Sequence, residues 1–109
     1  MSNKFFKLTD KETLNRLLLD SENRPIVVFK HSNTCGISSA AYREMEKLDD
    51  VNLLEIQSAR ELSNEVESIT GVEHESPQVI VLKNGKAVWN ASHYGVKAVA
   101  VADAVEANR

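Results

Sequence analysis

The apolar run at residues 26–29 (IVVF) constrains the fold more than any other stretch of this chain. A strand with one face in water alternates between apolar and polar residues, so an unbroken apolar run indicates a strand covered on both faces. Such coverage requires other elements on each side of its sheet. The run therefore predicts an α/β domain in which helices flank a central sheet.

The segments around this run alternate between strand and helix patterns. Residues 4–8 (KFFKL) predict a first strand, and residues 9–12 (TDKE) match a capping box with Thr9 as N-cap of a following helix. A helical pattern follows the 26–29 strand, and residues 51–56 (VNLLEI) predict a third strand.

The second half of the chain continues with similar signals. Residues 58–61 (SARE) match another capping box, with Ser58 as N-cap, and Gly71 is placed to end that helix in a left-handed conformation. Two strand-like runs flank Asn84-Gly85, which predicts a β-hairpin. Residues 95–109 predict a closing helix.

The predicted order is β-α-β-α-β-α-β-β-α, a thioredoxin-like fold with a central mixed sheet flanked by helices. Strands alternating with helices imply parallel pairing, and the hairpin adds an antiparallel edge. With 109 residues, 42% of them hydrophobic and 27% charged, the chain is expected to form a single domain over residues 1–109.

Charge and hydropathy exclude several function classes. A net charge of −3 argues against general nucleic-acid affinity. No apolar run approaches the roughly 20 residues needed to span a bilayer, and the first residues are too charged for a secretory signal. We therefore expect a cytoplasmic protein that binds neither nucleic acid nor membrane. We also expect a monomer.

The only cysteine, Cys35, follows the buried strand and opens a helical pattern. Backbone N–H groups at a helix start favour a thiolate, the nucleophilic form of cysteine. Gly36 allows a partner sulfur to approach closely, and Ser38 replaces the second thiol of many redox proteins. A lone cysteine is often a small buried hydrophobe instead, but the polar and small neighbours of Cys35 favour a reactive thiol. No specific metal site is expected from the three scattered histidines.

Pro77 marks the second part of the predicted site. By sequence alone a trans proline beginning an edge strand is the simpler interpretation, whereas the overall architecture favours a cis Ser76-Pro77 bond beside Cys35. Ser76 would then offer its backbone to an extended peptide. We expect Thr34, Gly36, Ile37 and Ser38 to line the sulfur, with Ser76 and Pro77 facing them.

The sequence resembles the monothiol bacilliredoxins, through residues 33–38 (NTCGIS) after the buried strand and residues 75–93 (ESPQVIVLKNGKAVWNASH) downstream. The resemblance spans nearly the whole chain. It implies a thiol–disulfide oxidoreductase that removes bacillithiol from S-bacillithiolated proteins, with Cys35 as its active cysteine and Pro77 beside the active site. Bacillithiol is then a co-substrate, and no bound cofactor is expected.

Two basic residues shortly before Cys35 in the sequence are candidates for roles in this activity. Lys30 is a candidate for promoting thiolate formation, or else a solvated strand end, and His31 a candidate for raising the local positive potential. Both are candidates for contacting the carboxylates of bacillithiol.

Two alternatives remain open at this point. The CGIS sequence at Cys35 differs by one residue from the CGFS of glutaredoxins that hold a [2Fe–2S] cluster, although Ile37 replaces the phenylalanine and a glutathione-binding Gly-Gly…Asp segment is lacking. The other alternative is a redox sensor that is modified at Cys35 without turnover.

Overall fold

The computed structural model describes residues 5–32, 36–57 and 59–109, with the backbone alone for residues 36–38. The predictions made for Thr34, Cys35 and Ser58 lie outside these residues. None of the helices within the described ranges has the length and apolarity needed to cross a membrane.

The described elements follow the predicted order, with one added 3₁₀ turn. The strands are β1 (Phe6–Lys7), β2 (Ile26–His31), β3 (Val51–Glu55), β4 (Gln78–Lys83) and β5 (Lys86–Ser92). The helices are α1 (Lys11–Asp20), α2 (Gly36–Met45), α3 (Arg60–Thr70) and α4 (Ala98–Ala107), and the 3₁₀ turn is His93–Gly95.

The strands form a mixed sheet in the order β1-β3-β2-β4-β5. Strands β1 and β2 both run parallel to β3, while β4 is antiparallel to β2 and to β5. This arrangement confirms the predicted fold class, with parallel pairing in the first part of the chain and an antiparallel hairpin at the edge.

Strand β2 lies at the centre of the sheet, and every one of its residues is buried. Ile26 and Val28 pack into the apolar cluster that includes residues of α1 and α3, whereas Val27 and Phe29 pack into the cluster that includes residues of α2 and α4. The unbroken apolar run is therefore covered on both faces, as predicted.

The hairpin and the end of α3 form as their sequences predict. Asn84 and Gly85 have φ values of 56° and 74°, the positive values that favour a two-residue hairpin turn. Gly71, with φ 72°, ends α3 in the left-handed conformation, and its N–H donates to the Glu67 carbonyl oxygen at 2.8 Å.

Several predicted boundaries are wrong by one or two residues. Asp10, rather than Thr9, caps α1, because its carboxylate accepts a hydrogen bond from the Thr13 N–H at 2.8 Å. Helix α3 has Ala59 at its N-cap, which supplies no side-chain hydrogen bond. Strand β2 extends beyond residue 29 to His31, and β3 ends at Glu55 rather than at residue 56.

Candidate active site

The ends of β2 and β5 and the start of β4 lie together at one end of the sheet. Lys30 near the end of β2 pairs with Gln78 at the start of β4, and Gln78 also pairs with Ser92 at the end of β5. Gly36, the residue after Cys35, begins α2. The last residues of β2, which precede Cys35 in the sequence, therefore lie at the same end of the sheet as Pro77, the residue directly before β4.

The Ser76–Pro77 peptide bond is cis, as the architecture favoured and the sequence alone did not. The Pro77 carbonyl oxygen accepts a hydrogen bond from the His93 N–H at 2.9 Å. Within the described ranges, the Ser76 backbone makes no hydrogen bond, and its buried side-chain oxygen has no hydrogen-bond partner. Ser76 therefore has backbone groups available for pairing with a bound chain.

The remaining predicted site residues are covered only in part. Gly36, Ile37 and Ser38 form the first turn of α2, and their backbone alone is described. Thr34 and Cys35 lie outside the described residues. The grouping of Thr34, Gly36, Ile37 and Ser38 around the Cys35 sulfur consequently stays a prediction.

Residues 73–77, here called the 73–77 segment, are held by contacts from three directions. The Gln78 side-chain amide donates to the Glu73 carbonyl oxygen at 2.9 Å. The His74 N–H donates to the Glu67 carboxylate of α3 at 3.3 Å, and the Glu75 carboxylate lies 3.3 Å from His93 Nε2. The segment is thus anchored to β4, to α3 and to the turn after β5.

Lys30 is fully buried on the α3 side of the sheet, with no exposed surface. Its Nζ lies 3.3 Å from His74 Nδ1, and the Ser63 Oγ lies 3.2 Å from the same nitrogen. Burial lowers the pKa of Lys30, and the Glu67 carboxylate opposes this effect. The expectation of a solvated strand end is wrong, and a lysine buried in this way offers no surface to the carboxylates of a ligand.

His31 occupies the opposite face of the sheet and is 7% exposed. Its ring centroid lies 4.9 Å from that of Tyr42 and 5.7 Å from that of Phe29. Within the described part of the chain, its Nδ1 has no hydrogen-bond partner. Burial lowers the pKa of His31 below its ordinary value near 6.5, with Glu55 opposing, so the ring is neutral at pH 7. The prediction that His31 raises the local positive potential is therefore wrong at that pH.

Sequence reasoning missed the polar group behind the 73–77 segment. It consists of Lys30, Ser63, His74 and Gln78. One signal was present, because the two-residue period of a strand places Gln78 on the same face as Ile80 in the α1/α3 cluster. No local sequence pattern could predict the contacts within this group, because Lys30 and His74 are 44 residues apart in the chain.

Comparison with known proteins identifies the family. The family described as Monothiol bacilliredoxin BrxC matches residues 6–101. A solved structure described as a candidate oxidoreductase with a thioredoxin fold is 34% identical, covers 93% of each chain and has a TM-score of 0.84.

More distant structures establish the fold alone. The thioredoxin of Fasciola hepatica is 16% identical, with 95% of this chain and 99% of that chain covered and a TM-score of 0.74. The reduced thioredoxin pre-protein of Schistosoma mansoni is 19% identical, with 97% and 99% covered and a TM-score of 0.71. Because the family match covers all five described strands and extends into the first turn of the closing helix, the chain belongs to the monothiol bacilliredoxins, a family of thiol oxidoreductases with the thioredoxin fold.

Proposed function

We propose that this protein removes bacillithiol from protein mixed disulfides in the cytoplasm, using Cys35 alone. The observation that carries the proposal is the family match over residues 6–101, in a chain whose only cysteine directly precedes α2. The position of Pro77, directly before the β4 residue that pairs with Lys30 of β2, is compatible with the same activity.

The first step is a thiol–disulfide exchange at the bacillithiol sulfur. The Cys35 thiolate attacks that sulfur, the mixed disulfide bond breaks, and the substrate protein leaves as a thiolate. Cys35 is then itself disulfide-bonded to bacillithiol. The start of α2 favours the anionic sulfur that this attack requires, because helix N-termini stabilise negative charge.

The second step needs a thiol from outside the chain, because the serine at position 38 cannot form a disulfide. A second bacillithiol thiolate attacks the bacillithiol sulfur on Cys35, forms bacillithiol disulfide and releases the Cys35 thiolate. Bacillithiol is thus consumed in the cycle as a co-substrate and is not a resident cofactor.

The 73–77 segment is the proposed docking element for the substrate protein. The backbone groups of Ser76, which make no hydrogen bond to any described residue, are suited to pairing with an extended substrate chain, as in recognition by strand addition. The contacts to Glu67 and His93 hold these groups in place before the substrate arrives.

The test is release of bacillithiol from a bacillithiolated protein in the presence of free bacillithiol. We expect turnover with the natural chain, none with Cys35→Ser, and much slower release from the same protein carrying glutathione. Ser38→Ala should change the rate without abolishing turnover, since its hydroxyl supplies at most a hydrogen bond to the sulfur.

Two other outcomes would replace the proposal. Modification of Cys35 without turnover would indicate a redox sensor. Absorbance of a [2Fe–2S] cluster after anaerobic reconstitution, together with absence of release, would indicate cluster binding.

A further inference from the structure

We propose that Lys30, His74 and Ser63 form an internal clamp that positions the 73–77 segment for substrate capture, and that protonation of His74 opens this clamp. The proposal rests on the proposed function, in which that segment pairs with the substrate. Beyond that function, the proposal assigns a positioning role to three residues on the side of the sheet opposite α2. It also predicts that substrate affinity depends on pH.

The clamp joins three parts of the fold through one side chain. His74 Nδ1 lies 3.3 Å from Lys30 Nζ of β2 and 3.2 Å from Ser63 Oγ of α3. The His74 backbone N–H donates to the Glu67 carboxylate of α3. His74 lies two residues before Ser76, so its anchorage restricts the backbone that receives the substrate.

The hydrogen-bonding capacity of the imidazole makes the clamp sensitive to protons. The Lys30 ammonium is a donor only, so His74 Nδ1 must carry a lone pair and the neutral ring must carry its proton on Nε2. When the ring takes a second proton, Nδ1 becomes a donor as well. Two donors with like charges then face each other at 3.3 Å, and the contact is lost.

Charged groups on several elements determine the pH at which His74 is protonated. Burial lowers the pKa of His74 most, and the Lys30 cation of β2 and Arg60 of α3 lower it further. Glu67 of α3 and Glu75 of the segment raise it, but the overall direction is downward. Protonation therefore opposes the folded arrangement, which is intact above about pH 6.5 and is lost as the pH falls through the lowered pKa.

A buried lysine is costly unless its ammonium has partners. The preceding residues on the same face of β2, Ile26 and Val28, are both apolar. A methionine would fill the position without that cost, so packing alone does not account for Lys30. The contact of Lys30 with His74 in the 73–77 segment accounts for a lysine at this position.

Substrate affinity measured without a reactive thiol separates the clamp from the chemistry at Cys35. In a Cys35→Ser background, we would measure binding of a bacillithiolated peptide at about pH 7.5 and at a pH below the pKa of His74, which a titration of its ring NMR signals locates. The parent should bind about fivefold more weakly at the lower pH, the effect of losing one hydrogen bond.

Three variants divide the clamp into its parts. His74→Asn keeps an acceptor near the Nδ1 position but does not titrate, so its affinity should be the same at both pH values. Lys30→Met should bind weakly at both, and Ser63→Ala should show a smaller loss. Matched controls are Lys86→Met and Ser68→Ala, which change exposed residues of β5 and α3 and should behave as the parent.

Backbone amide NMR signals of His74 and Ser76 provide a second readout that needs no substrate. They should titrate together with the His74 ring in the parent and should not titrate in His74→Asn. Equal affinity at both pH values in the parent, with unchanged affinity in Lys30→Met, would overturn the clamp and leave the proposed function standing. Absence of binding at either pH would overturn both.

Discussion

Lys30 and His31 are neighbours in β2 and reach the same edge of the sheet, yet their surroundings differ in kind. Lys30 faces α3 and meets His74, next to Ser63, whereas His31 faces α2 and meets aromatic rings. Both are buried, because the pleat sends successive side chains to opposite, covered faces. The comparison shows that two polar neighbours can both be buried, one in a hydrogen-bonding group and the other in aromatic packing.

The difference lies in what compensates for lost hydration. On the Lys30 side, a hydrogen-bonding network gives the buried cation a partner and connects it to the 73–77 segment. On the His31 side, aromatic rings surround a neutral imidazole, and its Nδ1 has no hydrogen-bond partner among the described residues. The network around Lys30 positions the 73–77 segment, whereas the ring contacts of His31 contribute only packing.

The largest expected effect is on the aromatic side. Phe29 has no exposed surface, and its ring centroid lies 5.7 Å from that of His31 and 6.2 Å from that of Phe5. Phe29→Ala should lower the free energy of unfolding by about 3–5 kcal/mol, as measured by denaturant titration. Leu19→Ala, at an exposed position, is the control and should change it by less than about 0.5 kcal/mol. A Phe29→Ala loss as small as that of the control would show that this cluster is not a packed core.

A smaller effect of opposite sign is expected for His31→Phe. The substitution removes a buried nitrogen that has no hydrogen-bond partner in the described part of the chain, and it keeps a ring of similar shape. The free energy of unfolding should therefore rise by about 1 kcal/mol at pH 7.

The His31→Phe variant also tests how the stability of the fold depends on pH. Since burial lowers the pKa of His31, its protonation favours the unfolded chain, and stability is lost as the pH falls below about 6.5. Thermal unfolding at pH 8 and pH 5.5 should show a smaller loss in His31→Phe than in the natural chain. Destabilisation by the substitution at pH 8 would mean that the imidazole makes a needed contact.

The smallest effect on stability is expected for Lys30→Met. The variant loses one contact but no longer buries an ammonium group, and His74 Nδ1 keeps Ser63 as a partner. The free energy of unfolding should change by less than about 1 kcal/mol. Substrate affinity should nevertheless fall. A large loss of stability with unchanged affinity would assign Lys30 a structural role and remove the contrast between the two faces.

Local sequence patterns were sufficient for the order of elements, the hairpin at Asn84-Gly85 and the burial of residues 26–29 on both faces. They were insufficient where neighbouring residues compete, as with Thr9 and Asp10 for the cap of α1. They also failed for Lys30, because its partners come from α3 and the 73–77 segment and depend on strand register. The role of Cys35 rests on its position in the chain and on the family.

The central claim is that Cys35 accepts bacillithiol from a substrate protein. Intact-mass measurement after mixing the reduced chain with a bacillithiolated protein, with no free bacillithiol present, tests it most directly. We expect the chain to gain the mass of one bacillithiol while the substrate loses it, with no transfer to Cys35→Ser. An unchanged mass of the natural chain, or the same gain in Cys35→Ser, would contradict the monothiol mechanism.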